Sequence, residues 1–213
     1  EAKGTAIFLD DEEWAILDSE VVLKNRLFKG QDLSKEMMQA LLNEDAFVRA
    51  RRVAARLLAV RPRSIEELRT RLREYRSRPP KGRKGHLEGQ QIAVGKSEAM
   101  PLPARFAPET IDSVLAYFEE KGDINDFQYA YHFARHQLRA RALGKLKIRS
   151  ALRAHGVEES IIEKALATAM TGQERSEDAA IEALIQKKLP RYQGDTPSKR
   201  RAKMEAALLR AGF

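Results

Sequence analysis

Cysteine is absent from the 213 residues, which removes disulfides, thiol nucleophiles and sulfur-ligated metal centres. Aromatic residues make up only 7% of the chain, with a single tryptophan, so a core has to be built mainly from Leu, Ile, Val and Ala. No apolar run approaches the roughly 20 residues that cross a bilayer. The N-terminus also lacks the basic-then-apolar order of a secretory signal. These absences point to a soluble, cytoplasmic protein that does not engage membranes. Glycine and proline are sparse outside one stretch: eight of the twenty fall within Arg76–Arg105, leaving long segments elsewhere free to be helical. There is no phosphate-cradling glycine loop and no placeable Ser-His-Asp arrangement, so no catalytic residue and no cofactor is assigned. His132 and His136 have the spacing of a two-histidine metal site. No Glu follows His132 as the zinc-protease signature demands, and no metal is assigned.

What is present is charge, 33% of the residues with a net +8, and its layout is informative. Glu1–Val48 carries −6, Arg49–Arg105 +11, Phe106–Ala130 −5, Tyr131–Gly156 +7, Val157–Gln186 −5 and Lys187–Phe213 +6. A nonspecific excess has no reason to alternate, so the pattern suggests a repeated structural unit.

Self-similarity supports that reading. The segment Arg-Ser-Ile-Glu-Glu-Leu-Arg-Thr-Arg-Leu-Arg ending at Arg73 aligns with Leu-Gly-Lys-Leu-Lys-Ile-Arg-Ser-Ala-Leu-Arg ending at Arg153, at an offset of 80. Leu68 then matches Ile148, and Leu72 matches Leu152. The next element, Glu109–Leu115, matches Glu159–Ala165 at an offset of 50, so the first copy carries an insertion of 30 residues. The Gly- and Pro-rich Arg76–Arg105 stretch is that insertion, expected to be a mobile loop. A third copy starts near Asp178, where Ser150–Val157 aligns with Ala206–Phe213 at an offset of 56 and Gly156 falls against Gly212.

Each copy reads as three helices. In the first, Ala50, Val53, Ala54, Leu57 and Leu58 recur at helical spacing until Pro62. Ser64 and Glu67 form a capping box that starts the second helix, with Leu68 and Leu72 on one face. The third begins near Pro108, turns Ile111, Val114, Leu115 and Phe118 inward, and ends before Gly122. In the second copy Asn125 or Asp126 caps a helix bearing Ala130, Phe133, Ala134 and Leu138. Gly144 and Gly156 bracket Lys145–His155, and Ile161, Ile162, Ala165 and Leu166 mark the third helix. Ahead of the copies, Thr5–Leu9 and Trp14–Leu17 flank Asp10-Asp11-Glu12-Glu13 as a small β-hairpin. Two short helices are expected near Glu20–Leu27 and Ser34–Leu42. The expected fold class is therefore all-α: tandem three-helix, helix-turn-helix-like repeats in an elongated curved array, with an N-terminal β-hairpin. The divisions are 1–45, 46–124 with the inserted loop 76–105, 125–177, and 178–213, the last incomplete. No coiled-coil heptad asks for a partner, so a monomer is expected.

Three landmarks then stand out: Arg61-Pro-Arg-Ser-Ile-Glu-Glu-Leu68, Gly122-Asp-Ile-Asn-Asp-Phe-Gln-Tyr-Ala130, and Gly144-Lys-Leu-Lys-Ile-Arg-Ser-Ala-Leu-Arg-Ala-His-Gly156. In order and spacing they resemble the RecX recombination regulators. The similarity extends over about Leu27 to Phe213, with Arg49–Leu166 the most specific part and the long insertion a departure. The resemblance implies tandem three-helix repeats that lie in the groove of the RecA filament and inhibit RecA's ATPase and strand exchange, in recombination and DNA repair. The partners it implies are the RecA recombinase filament and, through backbone contacts, DNA.

The candidate contact residues are the cations of each copy's first two helices. In the first copy these are Arg51, Arg52, Arg56, Arg63, Arg69 and Arg73, beside Arg61 and Arg71. In the second they are Arg135, Arg139, Arg141, Lys145, Lys147, Arg149 and Arg153, with no acidic residue anywhere in Tyr131–Gly156. Singly, such residues are ordinary solvated helix faces. Together, seven uncompensated cations argue for an anionic partner, and arginine favours bidentate contact with carboxylate or phosphate. Tyr129 and Phe133 have core-type spacing and are expected to pack rather than stack on bases. A second reading is a stand-alone helix-turn-helix protein reading the major groove. Lys145–His155 contains neither Asn nor Gln, which favours backbone contact over base readout.

Overall fold

The computed structural model describes residues 4–76, 105–141, 143–171 and 177–213. Most of the expected inserted loop lies outside the described residues. Strand is confined, among the described residues, to β1 (Gly4–Leu9) and β2 (Glu12–Asp18), and the rest is helical: α1 (Ser19–Lys24), α2 (Lys35–Val60), α3 (Ile65–Glu74), α4 (Pro108–Glu120), α5 (Asp126–His136), α6 (Lys145–Ala154), α7 (Glu159–Ala169), α8 (Glu177–Lys188) and α9 (Pro197–Ala211). A π-helical turn, Gln137–Arg141, prolongs α5, and a 3₁₀ turn, Leu189–Tyr192, follows α8. The described residues divide into two compact units, one from Glu1–Val60 with Arg69–Tyr117, the other from Arg61–Leu68 with Phe118–Phe213.

In the first unit the antiparallel hairpin turns at Asp10 and Asp11, both at positive φ (49° and 69°). Aspartate tolerates that left-handed region better than most residues, and two such residues are what a tight hairpin turn requires. Ala15 and Leu17 face inward and join Val21, Leu41 and Val48 in a small core. Of the two short helices expected, the first is α1 and the second is corrected here. The second is not short: α2 runs unbroken for 26 residues across the position where a break was expected. Asp45 is buried on the same face as Leu41 and Val48. Its carboxylate accepts from the Asp18 amide at 2.6 Å and from Arg49 Nε at 2.5 Å. A buried carboxylate is tolerated once paired and hydrogen-bonded, so the helix continues through it. Pro62 bars helical geometry at the preceding residue, and α2 stops at Val60.

The second unit shows the repeat directly. Ala130, Ala134, Leu138, Ile148, Leu152, Val157, Ile162, Ala165 and Leu166 form one buried core, with Phe127, Tyr129 and Phe133 packed against it. Asn125 caps α5 by accepting from the Gln128 amide at 2.9 Å. Leu152 and its counterpart Leu72 are both fully buried. Gly156 and Gly212, matched by the offset of 56, both take positive φ (76° and 91°) just past α6 and α9. That conformation is cheap for glycine alone.

A joint is also repeated. The Ser64 hydroxyl donates to the His155 carbonyl, and 80 residues on, the Gly144 amide donates to the Ala211 carbonyl at 2.8 Å. The start of one second helix is thus fastened to the end of the next copy's second helix. There is no room for a side chain at either contact: a Cβ on Gly156 would lie 2.5 Å from Glu66 Cβ, and one on Gly212 would lie 2.6 Å from the Lys147 amide nitrogen.

Candidate basic interface

The candidate cations separate into three sorts once folded. Several hold the structure together. In the first unit Arg52 forms a bidentate pair with the buried Asp18 and also reaches Glu20 at 3.2 Å. Asp18 meanwhile caps α1 by accepting from the Glu20 amide at 2.9 Å. Arg51 donates to both Glu20 oxygens, at 2.7 and 2.9 Å, with its guanidinium 5.6 Å from the Tyr117 ring centroid. These two arginines pin the hairpin and α1 to α2. Arg69 pairs with Asp112 of α4.

In the second unit Arg149 pairs with Glu159 and, at 2.9 Å, with Glu163, while Arg153 also engages Glu159. Arg69 and Arg149 are equivalent residues, and each reaches an acid on its own copy's third helix. The reading of seven uncompensated cations in Tyr131–Gly156 is corrected accordingly. The compensation comes from α7, outside that stretch, and the alternating charge partly records this pairing of second with third helices. Hydrogen bonding from Arg153, then from Arg149, holds the Glu159 carboxyl below the usual glutamate range.

Arg63 is nearly buried and shares the Glu67 carboxylate with Arg61. Burial alone would raise the Glu67 pKa, but the two guanidiniums outweigh it and hold the group low. The capping box is half formed: Ser64 Oγ accepts from the Glu67 amide at 3.1 Å, and the Glu67 side chain turns to the arginines. Beside this cluster, Asp126 accepts from the Ile65 amide at 2.8 Å, and burial raises its pKa.

A second sort is lightly tethered, with Arg135 half-buried and Lys147 exposed. Arg135 lies over the Tyr131 ring at 5.3 Å, and Lys147 donates to the Arg210 carbonyl at 3.2 Å. The third sort is free: Arg56, Arg73 and Arg139 are exposed, with no carboxylate in ion-pair reach among the described residues. Lys145 is exposed without belonging to the free sort, and the side chain of Arg141 lies outside the described residues. Of the second copy, then, Arg139, Lys145 and Lys147 present charge outward from the end of α5 and the first turn of α6. The first copy offers Arg56 and Arg73, each in its own place on α2 and α3. Sequence reasoning passed over Lys187, Lys188 and Arg210 of the third copy, although the +6 of Lys187–Phe213 carried the signal. Among the described residues no group of three or more His, Asp or Glu could hold a metal ion, and no helix is long and apolar enough to cross a membrane.

Such an arrangement defines a helical-repeat protein whose three-helix units brace their own arginines and leave a minority outward. Residues 125–166 match the second three-helix domain of RecX, and residues 176–213 the third. The regulatory protein RecX of Prosthecochloris aestuarii is 34% identical over 110 residues, covering 51% of this chain and 67% of that protein. The chain belongs to the RecX family of regulatory proteins. The RecX of Halalkalibacterium halodurans is 28% identical over 152 residues, which cover 71% of this chain and 46% of that longer protein. A crystal structure of a regulatory protein RecX superposes with a TM-score of 0.67 at 21% identity, covering 100% of this chain and 89% of that one, a likeness of fold.

Proposed function

We propose that this protein regulates homologous recombination by binding the RecA–DNA filament and inhibiting RecA's ATPase and strand exchange. Membership of a regulatory family carries the reading, and the outward cations Arg139, Lys145 and Lys147 suit an anionic partner. Its activity is binding rather than chemistry, exercised in the cytoplasm by a monomer without a cofactor. Contacts to DNA are to phosphates, because α6 presents no Asn or Gln to base edges. Arg51, Arg52, Arg63, Arg69, Arg149 and Arg153 contribute mainly by holding the units rigid, since their charge is already engaged. The test is RecA ATPase on single-stranded DNA during titration with this protein, alongside its affinity for assembled filament and for naked DNA. The expected result is a falling ATPase rate and tighter binding to filament. Equal affinity for both, with the ATPase untouched, would replace this reading with that of a stand-alone DNA-binding protein.

A further inference from the structure

Beside the second repeated joint lies an open pocket that the basic interface does not use. Leu143, Leu184, Ala207 and Ala211 give it an apolar wall, Lys187, Lys188 and Arg210 supply positive charge, and its volume is about 270 Å3. Among the described residues no carboxylate pairs with those three cations: Asp195 is taken by Lys203 and Glu205 by Arg201.

The first joint shows what such a place looks like when filled. There the His155 ring meets the edges or faces of Tyr129 and Phe133, with centroids 6.0 and 5.6 Å away. The Glu67 carboxylate sits 3.9 Å from His155 Nδ1 and is neutralised by Arg61 and Arg63. By the offsets of 56 and 80, the second joint has Ala211 where the first has His155, and Lys147 where the first has Glu67. Both the ring and the carboxylate are missing, while the backbone joint that frames them is retained, from the Gly144 amide to the Ala211 carbonyl. Space and unanswered charge therefore coincide at one place.

We infer that this pocket binds an acidic segment of a partner protein carrying one aromatic or large aliphatic side chain. That side chain occupies the volume His155 fills in the first joint, and flanking carboxylates answer Lys187, Lys188 and Arg210. A nucleic acid strand is the poorer fit, because stacking platforms for bases are aromatic and no aromatic side chain lines this pocket. The site does not depend on the filament reading, and its ligand is a peptide rather than phosphate.

The test uses the full chain and three fluorescein-labelled probes followed by anisotropy: the peptide Asp-Glu-Phe-Glu-Asp, its Ala-centred counterpart, and a pentathymidylate. The Phe peptide is expected to bind about tenfold more tightly than the Ala peptide, from burial of the ring. Lys187→Glu with Lys188→Glu should abolish that binding by charge, and Ala211→Phe should abolish it by filling the pocket with no change of charge. Circular dichroism and melting confirm that each variant is folded. Should Ala211→Phe not fold, the double lysine reversal decides alone. Equal binding of the two peptides, or undiminished binding by a folded variant, overturns the inference. So does displacement of the Phe peptide by pentathymidylate as readily as by unlabelled peptide, which would assign the pocket to nucleic acid. RecA ATPase plays no part in the readout, so failure here leaves the filament reading intact, and the reverse also holds.

Discussion

The Gly144 amide donates to the Ala211 carbonyl at 2.8 Å, and the Ser64 hydroxyl, one copy earlier, donates to the carbonyl of His155. Helix ends leave carbonyls without intrahelical partners. Here the last carbonyls of α9 and the carbonyl just past α6 are satisfied by the start of the preceding copy's second helix. The negative end of one helix dipole meets the positive end of the next, which favours the arrangement further. Two different donors, a hydroxyl and an amide, serve the same joint, so the joint belongs to the repeat rather than to one side chain.

Gly156→Ala and Gly212→Ala should each destabilise the second unit by about 1–3 kcal/mol, combining left-handed strain with a clash. Gly194→Ala is the control, since its Cβ would meet nothing within 4 Å and its φ is not positive. Urea unfolding of the three variants checks this. Equal stability of all three would mean that the joint contributes nothing.

Leu152→Ala should cost about 2–5 kcal/mol, the range for a buried leucine whose cavity only partly collapses. Leu152 is fully exposed to this penalty because it is completely buried within one core cluster. A thermal melt within a degree of the parent would contradict the packing.

The repeat was legible in the sequence because its marks are local: leucines at helical spacing, and a glycine just past the second helices of the second and third copies. The continuity of α2 was not, since Asp45 reads as surface until Asp18 and Arg49 are seen to enclose it. Nor were the ion pairs of Arg149 and Arg153, whose partners lie on α7, beyond the stretch that looked uncompensated. The pocket was the least legible feature. It arises from what Ala211 does not fill, a negative property that only comparison with His155 at the equivalent place makes visible.

The Glu67 cluster has a pH signature. Its folded pKa is lowered, so its contribution to stability is present above the unfolded value of 4.5 and is lost as pH falls through the folded value. Glu67→Gln should therefore melt lower than the parent at neutral pH, with the gap closing below the ordinary glutamate range. Asp126, raised by burial, works in the opposite sense, so the comparison is between variant and parent rather than the parent's curve alone. A gap that stays constant from neutral to strongly acid pH would remove Glu67 from the account.

Charge reversal separates bracing arginines from contacting ones. Arg139→Glu with Arg141→Glu and Lys145→Glu should weaken filament binding and inhibition of RecA's ATPase while leaving helical content unchanged, because Arg139 and Lys145 are exposed. Each exposed contact is worth only about 0.2–1 kcal/mol, so three reversals, which replace attraction with repulsion, are needed for a clear effect. Arg149→Glu should behave differently, since it sets a third carboxylate beside Glu159 and Glu163 and loosens α6 from α7. Its loss should appear first as a lower melting temperature. Added salt should weaken filament binding by the parent, through screening and counterion release, and weaken it less for the triple variant, which has fewer attractive contacts to lose. If the folded triple variant inhibits RecA as well as the parent and with the same salt slope, the outward cations of the second copy are not the contact surface, and the acids of α4 and α7 become the place to look.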